Sequence, residues 1–329
     1  MSTEPMHGGS QAITAAQQAG VEYLFTLSGA HIFPLYDAAV GGRASVEQAE
    51  SNRSAQYAGP VRIIDVRHEQ TAVFAAEAVG KLTRRAGLAA LTAGPGVTNG
   101  VSAIAGAYLN GSPLVVIGGR APDFRWGSGA LQELDHPPIL QSITKQSWTV
   151  HDPAAINAEV ATAFGIANTA HRGPVFVDVP MDVLFTPAIP TPQVVIESSI
   201  RECDQDALQA AAGAIIAATR PVLVLGSDTW QGHAEDSARA FTHELGIPVI
   251  ANGMGRGILA PSDPLLVTRA RSSAFKDCDL VVVVGTPLDF RLNYGRFGDS
   301  AADAGQSPTV VHIVDDPSQA AHHSNAITV

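Results

Sequence analysis

The sequence predicts an α/β protein made of two doubly wound parallel-sheet domains in tandem. Three observations lead there. Short β-branched runs alternate with longer Ala-rich segments of helical period, which is the pattern of parallel α/β units. The strand-like runs are almost continuously apolar, as expected where both faces of a sheet are covered. A break at 186–197 (TPAIPTPQVVIE) carries three prolines and no helical period, and the alternation restarts after it. At roughly 150 residues per domain, a chain of 329 agrees with two. The expected division is a first domain over 1–185, a linker over 186–203 and a Rossmann-like central unit over 204–329.

In the first half, strands are expected near 21–27, 61–66, 88–93, 113–118 and 174–179, with a weaker one near 147–150. Residues 68–85 read as a helix, because Val73, Ala76, Val79 and Leu82 recur at three-residue steps. Lys81, Arg84 and Arg85 suit its last turn, where the helix dipole favours cations. The stretch 41–59 is polar and aperiodic and reads as a surface loop. In the second half, helices are expected at 205–219 and 233–245, with strands at 221–226, 247–251, 280–285 and 309–314. One more short strand should lie within 315–329, and no helix follows in the sequence to cover it.

Composition excludes several functions. Hydrophobic residues make up 46% and charged residues 16%, enough for two ordinary cores and far from a disordered chain. The net charge of -11 argues against broad nucleic-acid binding and against docking on anionic membranes. No apolar run approaches the roughly 20 residues of a membrane span, and no signal peptide is visible. Cys203 and Cys278 cannot build a disulfide framework or a zinc site by themselves, so two buried thiols in a cytoplasmic protein are expected.

In an open parallel sheet, ligands bind beyond the carboxyl ends of the strands. Four connections of the first domain meet at that rim: Ser28-Gly29-Ala30-His31, Arg67-His68-Glu69-Gln70, Gly94-Pro95-Gly96-Val97-Thr98-Asn99-Gly100 and Gly119-Arg120. Three are glycine-rich and allow close backbone approach. The other places an acid, Glu69, in the first turn of a helix, where the dipole favours it whatever else it does. The Gly94–Gly100 loop is not a dinucleotide fingerprint, because Asn99 stands where the third glycine belongs.

The blocks RHEQ (67–70), LTAGPGVTNG (91–100), SPLVVIGG (112–119), LQE (131–133), TK (144–145) and GPVFVDVPMDV (173–183), in this order and spacing, resemble thiamine-diphosphate-dependent enzymes of the acetolactate synthase-like group. The resemblance covers residues 10–329. It implies that the first domain binds the pyrimidine ring of thiamine diphosphate and that Glu69 hydrogen-bonds ring nitrogen N1′. It further implies that Gly29, Pro95, Gly96 and Asn99 line the ring, with Gln132 and Lys145 on the substrate side. The implied chemistry is decarboxylation and carboligation of a 2-keto acid such as pyruvate.

The second half resembles the central domain of the same group, with Gly226, Ser227 and Asp228 on a candidate nucleotide rim. Between 252 and 295 the Gly-Met-His-Gly type segment of the FAD-binding synthases is absent. That counts against FAD and leaves ADP, or no nucleotide, open. The blocks there look closer to 2-hydroxyacyl-CoA lyases and oxalyl-CoA decarboxylases. In this group a third domain binds the diphosphate through Mg2+ with a Gly-Asp-Gly motif, and the 329 residues contain none. The expectation is therefore a chain carrying the pyrimidine side alone, with no metal ligands of its own. It would be inactive without a homo-oligomeric or complementing partner that carries the diphosphate side, or else a non-catalytic associate of a full-length relative.

Overall fold

The structure is a computed structural model that describes residues 4–44, 61–193, 196, 202–298, 307–319 and 326–329. It divides after Ser198, inside the expected linker, into two α/β units.

The first unit is built on six parallel strands: β2 (Tyr23–Thr26), β3 (Arg62–Asp65), β4 (Gly87–Leu91), β5 (Leu114–Arg120), β6 (Gln146–Thr149) and β7 (Pro174–Pro180). Their order across the sheet is β3-β2-β4-β5-β7-β6. The chain runs outward from β2 to β3, then crosses back to β4 on the other side of β2. The carboxyl ends of β2 and β4 thus flank a topological switch point, where the connecting loops diverge and leave a crevice.

Both faces of this sheet are covered, and the side chains divide by strand parity. Leu88, Ala90, Val115 and Ile117 share one core with α1 (Gly8–Gln18), α2 (Phe33–Ala44) and α6 (Ile156–Asn168). Ala89, Leu91, Leu114 and Val116 share the other with α3 (Glu69–Thr83) and α4 (Pro95–Leu109). This is why the strands read as unbroken apolar runs: each residue faces a core on one side or the other. Burying each such Leu or Ile contributes about 1.5–3 kcal/mol.

Residues Pro187–Ala188 form β8, which pairs antiparallel with β1 (Met6–His7) at the other end of the unit. Thr191 N donates to the Ala154 carbonyl at 2.8 Å, and Gln193 Nε2 donates to Asn157 Oδ1 at 2.8 Å. The Thr191 backbone N–H and the Gln193 side-chain amide strap this segment to the unit. The expected loop at 41–59 begins as helix, since α2 continues through Ala44, and 45–59 lies outside the described residues.

The second unit has five parallel strands, β9 (Pro221–Leu225), β10 (Val249–Ala251), β11 (Leu280–Val284), β12 (Thr309–Ile313) and β13 (Ala326–Thr328), in the order β10-β9-β11-β12-β13. Its helices include α8 (Gln205–Ala217), α9 (Ser227–Gln231) and α10 (Glu235–Leu245). Asp204 caps α8 by accepting from the N–H groups of Asp206 and Ala207, leaving fewer orphan donors in its first turn. The final strand is not bare: Ile327 and Val329 pack in the same core as Ala214 and Ile215 of α8. The unit's first helix closes over its last strand, which a linear reading of helix order misses.

One cysteine expectation fails. Cys278 is buried, and burial pushes its thiol up to about 11, but Cys203 is exposed just ahead of α8. With a thiol reagent near neutral pH, one equivalent is expected to react rapidly at Cys203. Cys278 should react only at the rate of unfolding, because the thiolate is the nucleophile. Quantifying fast and slow labelling in wild type and Cys203→Ser checks this. Two fast equivalents in wild type would contradict it.

Candidate active site at the rim of the first sheet

The carboxyl ends of β2, β3 and β4 bring together five of the seven residues expected to form the site. Glu69 opens α3 directly after the N-cap His68, whose Nδ1 accepts the N–H of Gln70 at 3.2 Å. The Glu69 side chain is buried. Its Oε2 accepts from Asn99 Nδ2 at 3.0 Å. Oε1 has no hydrogen-bond partner among the described residues. Asn99 stands on the second turn of α4, so helix geometry aims its amide at the start of α3.

Pro95 and Gly96 form the first turn of α4, and Pro95 loses nothing there because an N-terminal N–H has no helical partner. A β-carbon on Gly96 would lie 2.6 Å from Thr92 Cγ2 and 3.7 Å from Glu69 Oε1. The bare Cα of Gly96 therefore leaves space beside the unpartnered carboxyl oxygen. Gly94, at φ +59 and ψ -117, takes a conformation available to glycine alone, which turns the chain sharply from β4 into α4. Gly29 packs against the same strand exit: a β-carbon on it would come 2.3 Å from Thr92 Oγ1.

Gln132 belongs to this rim. It is half-buried, holds φ +57, and its backbone packs directly on Gly94. Lys145 does not belong to it. It precedes β6 and therefore sits at the amino-terminal edge of the parallel sheet, opposite Glu69. Its Nζ donates to the Thr169 carbonyl at 2.9 Å and to Thr169 Oγ1 at 2.6 Å, tying β6 to the end of α6. A residue just ahead of a strand cannot reach the loops beyond the strand's far end, and Lys145 has a structural role.

Sequence reasoning missed a buried polar array behind the Gly94 turn. His136, fully buried, accepts the Gly94 N–H on Nε2 at 2.9 Å. Its Nδ1 lies 3.0 and 3.1 Å from the two carboxylate oxygens of Asp178. Arg120 Nη1 donates to Asp178 Oδ2 and to Asp135 Oδ1, both at 2.9 Å, and its guanidinium stacks 3.6 Å from the Trp126 ring centroid. Burial pushes the Asp178 carboxyl up, while His136 and Arg120 pull it back down. His31 Nδ1 lies 3.1 Å from Thr92 Oγ1. Burial holds the His31 ring below its ordinary value, with nearby His136 adding to this and the Leu131 carbonyl opposing it. A signal for the array was present: Asp178 interrupts the apolar strand PVFVDVP, and an acid buried in a sheet needs a partner.

In the second unit, Gly226, Ser227 and Asp228 do sit at the switch point, between β9 and β11. Their identities follow from packing. A β-carbon on Gly226 would meet the Gly285 carbonyl oxygen at 2.2 Å. Ser227 Oγ accepts the Met254 N–H at 3.1 Å, and Asp228 Oδ2 accepts from Gln319 Nε2 at 3.1 Å. The helix that begins there, α9, has only five residues.

Comparison with known proteins gives the family of both units. Residues 6–139 match the family described as thiamine pyrophosphate enzyme, N-terminal TPP binding domain, and residues 208–329 match thiamine pyrophosphate enzyme, central domain. The acetolactate synthase large subunit IlvG of Mycobacterium tuberculosis is 41% identical over 306 residues, an alignment covering 89% of this chain and 51% of that protein. The 2-hydroxyacyl-CoA lyase 2 of Danio rerio is 34% identical over 329 residues, covering 89% of this chain and 50% of that protein. The acetolactate synthase large subunit of Parasynechococcus marenigrum is also 34% identical, covering 96% and 50%. The chain spans about half the length of the curated relatives it matches. Among the described residues, no helix is long and apolar enough to cross a membrane. With the rim geometry and both family matches in agreement, this chain belongs to the thiamine-diphosphate-dependent enzymes of the acetolactate synthase-like group, its two units being their N-terminal and central domains.

Proposed function

We propose that this chain supplies the pyrimidine side of a thiamine-diphosphate site that decarboxylates and ligates 2-keto acids such as pyruvate. In this reading the diphosphate and its Mg2+ are held by residues outside these 329. The observation that carries the reading is the state of Glu69. It is a buried carboxyl with one oxygen fixed by Asn99 and the other unpartnered beside the bare Cα of Gly96. An accessible carboxyl oxygen with no partner, on a side chain whose other oxygen is held by Asn99, suits a flat ring that offers a nitrogen-borne proton.

When bound, thiamine diphosphate supplies an electron sink for the carbanion left as a 2-keto acid loses carbon dioxide. Glu69 would hold the cofactor by sharing a proton with ring nitrogen N1′. Asn99 keeps the carboxyl from rotating by occupying Oε2. Gly96 and Gly29 present backbone in place of side chains and Pro95 adds only its compact ring, which would let a planar ring lie close. Gln132, whose backbone packs on Gly94, would meet the substrate side. Ser227 and Asp228 hydrogen-bond within their own rim, to Met254 and Gln319.

A second reading is favoured by the match to 2-hydroxyacyl-CoA lyase 2 and by the 252–295 blocks, namely cleavage of a 2-hydroxyacyl thioester at the same site. Both are tested with this chain, a partner carrying the diphosphate side, thiamine diphosphate and Mg2+. Release of carbon dioxide from pyruvate is the expected result. Cleavage of a 2-hydroxyacyl-CoA with pyruvate untouched would favour the second reading, and turnover of neither with cofactor bound would contradict both.

A further inference from the structure

The geometry points to His136 as a positioning residue that sets the Gly94 turn, and through it the Glu69–Asn99 pair, by accepting the Gly94 N–H as a neutral Nδ1–H imidazole. This rests on Glu69 being the cofactor-facing acid.

The turn from β4 into α4 is closed by the Gly96 N–H on the Ala93 carbonyl at 3.2 Å and the Thr98 N–H on the Gly94 carbonyl at 3.1 Å, but the Gly94 N–H finds its acceptor outside the turn. Gly94 is the N-cap of α4 but has no side chain with which to cap it. Its conformation lies where other residues are strained, so local preference alone does not hold it there. Among the described residues, the one acceptor for its N–H is His136 Nε2 at 2.9 Å. Because a backbone N–H can only donate, Nε2 must carry no proton, and the ring proton resides on Nδ1, facing Asp178 at 3.0 Å. Asp178 fixes both the tautomer and the ring plane, and Arg120 in turn holds Asp178. The edge of the Phe176 ring, at 6.2 Å between centroids, completes the wall.

Downstream of the turn the restraints pass to the acid. Gly96, two residues on, packs beside Glu69 Oε1, and Asn99, five residues on, holds Glu69 Oε2. A shift of the Gly94 turn therefore moves both contacts of the carboxyl. The charged and titratable groups facing the His136 ring are Asp178 on β7, Arg120 at the end of β5, Asp135 beside it in sequence and His31 after β2. Protonating Nε2 would set an N–H against the Gly94 N–H and break the bond.

The test follows the free protein, with no cofactor present. Nitrogen NMR of the His136 ring near neutral pH should show a proton on Nδ1 and none on Nε2. Protection of the Gly94 amide from hydrogen exchange and the Asn99 side-chain amide signals of the wild type, recorded at the same pH, give the reference. His136→Phe should lower Gly94 protection at least tenfold and shift the Asn99 signals, and His136→Gln, which keeps an acceptor, should restore part of both. A proton on Nε2 at neutral pH overturns the proposal, as does unchanged Gly94 protection in a folded His136→Phe. If that variant does not fold, the wild-type tautomer and His136→Gln still decide. None of these readings involves thiamine, so failure here is distinguishable from failure of the Glu69 assignment.

Discussion

Glu69→Gln is expected to lower turnover by about 10²- to 10⁴-fold in the assembled enzyme while leaving the fold intact. Glutamine keeps the shape of the side chain and an oxygen that can accept from Asn99 Nδ2, so the contact holding α3 to α4 survives. It cannot take up or release a proton near neutral pH, which is the one property the proposed mechanism draws from this residue. The check is steady-state turnover of pyruvate alongside thermal unfolding of wild type and variant. Activity within a few-fold of wild type would remove Glu69 from its role. Lost activity together with a collapsed unfolding transition would show a structural residue instead.

The second large effect concerns stability. Asp178→Ala should destabilise the first unit by about 3–5 kcal/mol, the usual cost of removing one partner from a buried ion pair. The substitution strands the Arg120 guanidinium, which is almost wholly buried and keeps only Asp135, and it frees the His136 ring from its anchor. For a unit near 200 residues this corresponds to a fall in Tm on the order of 10 °C. Removing the charge as well, in Arg120→Met combined with Asp178→Ala, should recover part of the loss, because two apolar side chains leave no unpaired ion. Differential scanning calorimetry of the three variants checks this. A shift of about 2 °C or less for Asp178→Ala would mean that the array carries little of the unit's stability.

The fold was legible because its strongest determinant is written in local pattern. Strands covered on both faces read as apolar runs, and each expected strand appears within a few residues of its place. Glu69 and the Gly94–Gly100 loop were legible for the same reason, since a residue that follows a parallel strand must lie at the carboxyl rim. The rule applied to Lys145 in reverse, and its position ahead of β6 already excluded it from the rim. Other features depend on contacts between distant positions. Pairing of Met6–His7 with Pro187–Ala188 joins segments some 180 residues apart through two residues each, too few to leave a periodicity. The cover over β13 comes from α8, more than a hundred residues earlier in the sequence. His136 was hidden because its partners are a backbone N–H and an acid on another strand, and neither is implied by the LDHPP segment in which it sits.

The central claim is that the Glu69 carboxyl meets the heterocycle of the coenzyme. The most direct measurement is the carbon signal of the Glu69 carboxyl in isotope-labelled protein, recorded as thiamine diphosphate and Mg2+ are added to the assembled enzyme. A shift that saturates with cofactor binding, and a clear loss of cofactor affinity in Glu69→Ala, is the predicted result. An unmoved carboxyl signal at full occupancy, with equal affinity in the variant, would contradict the account.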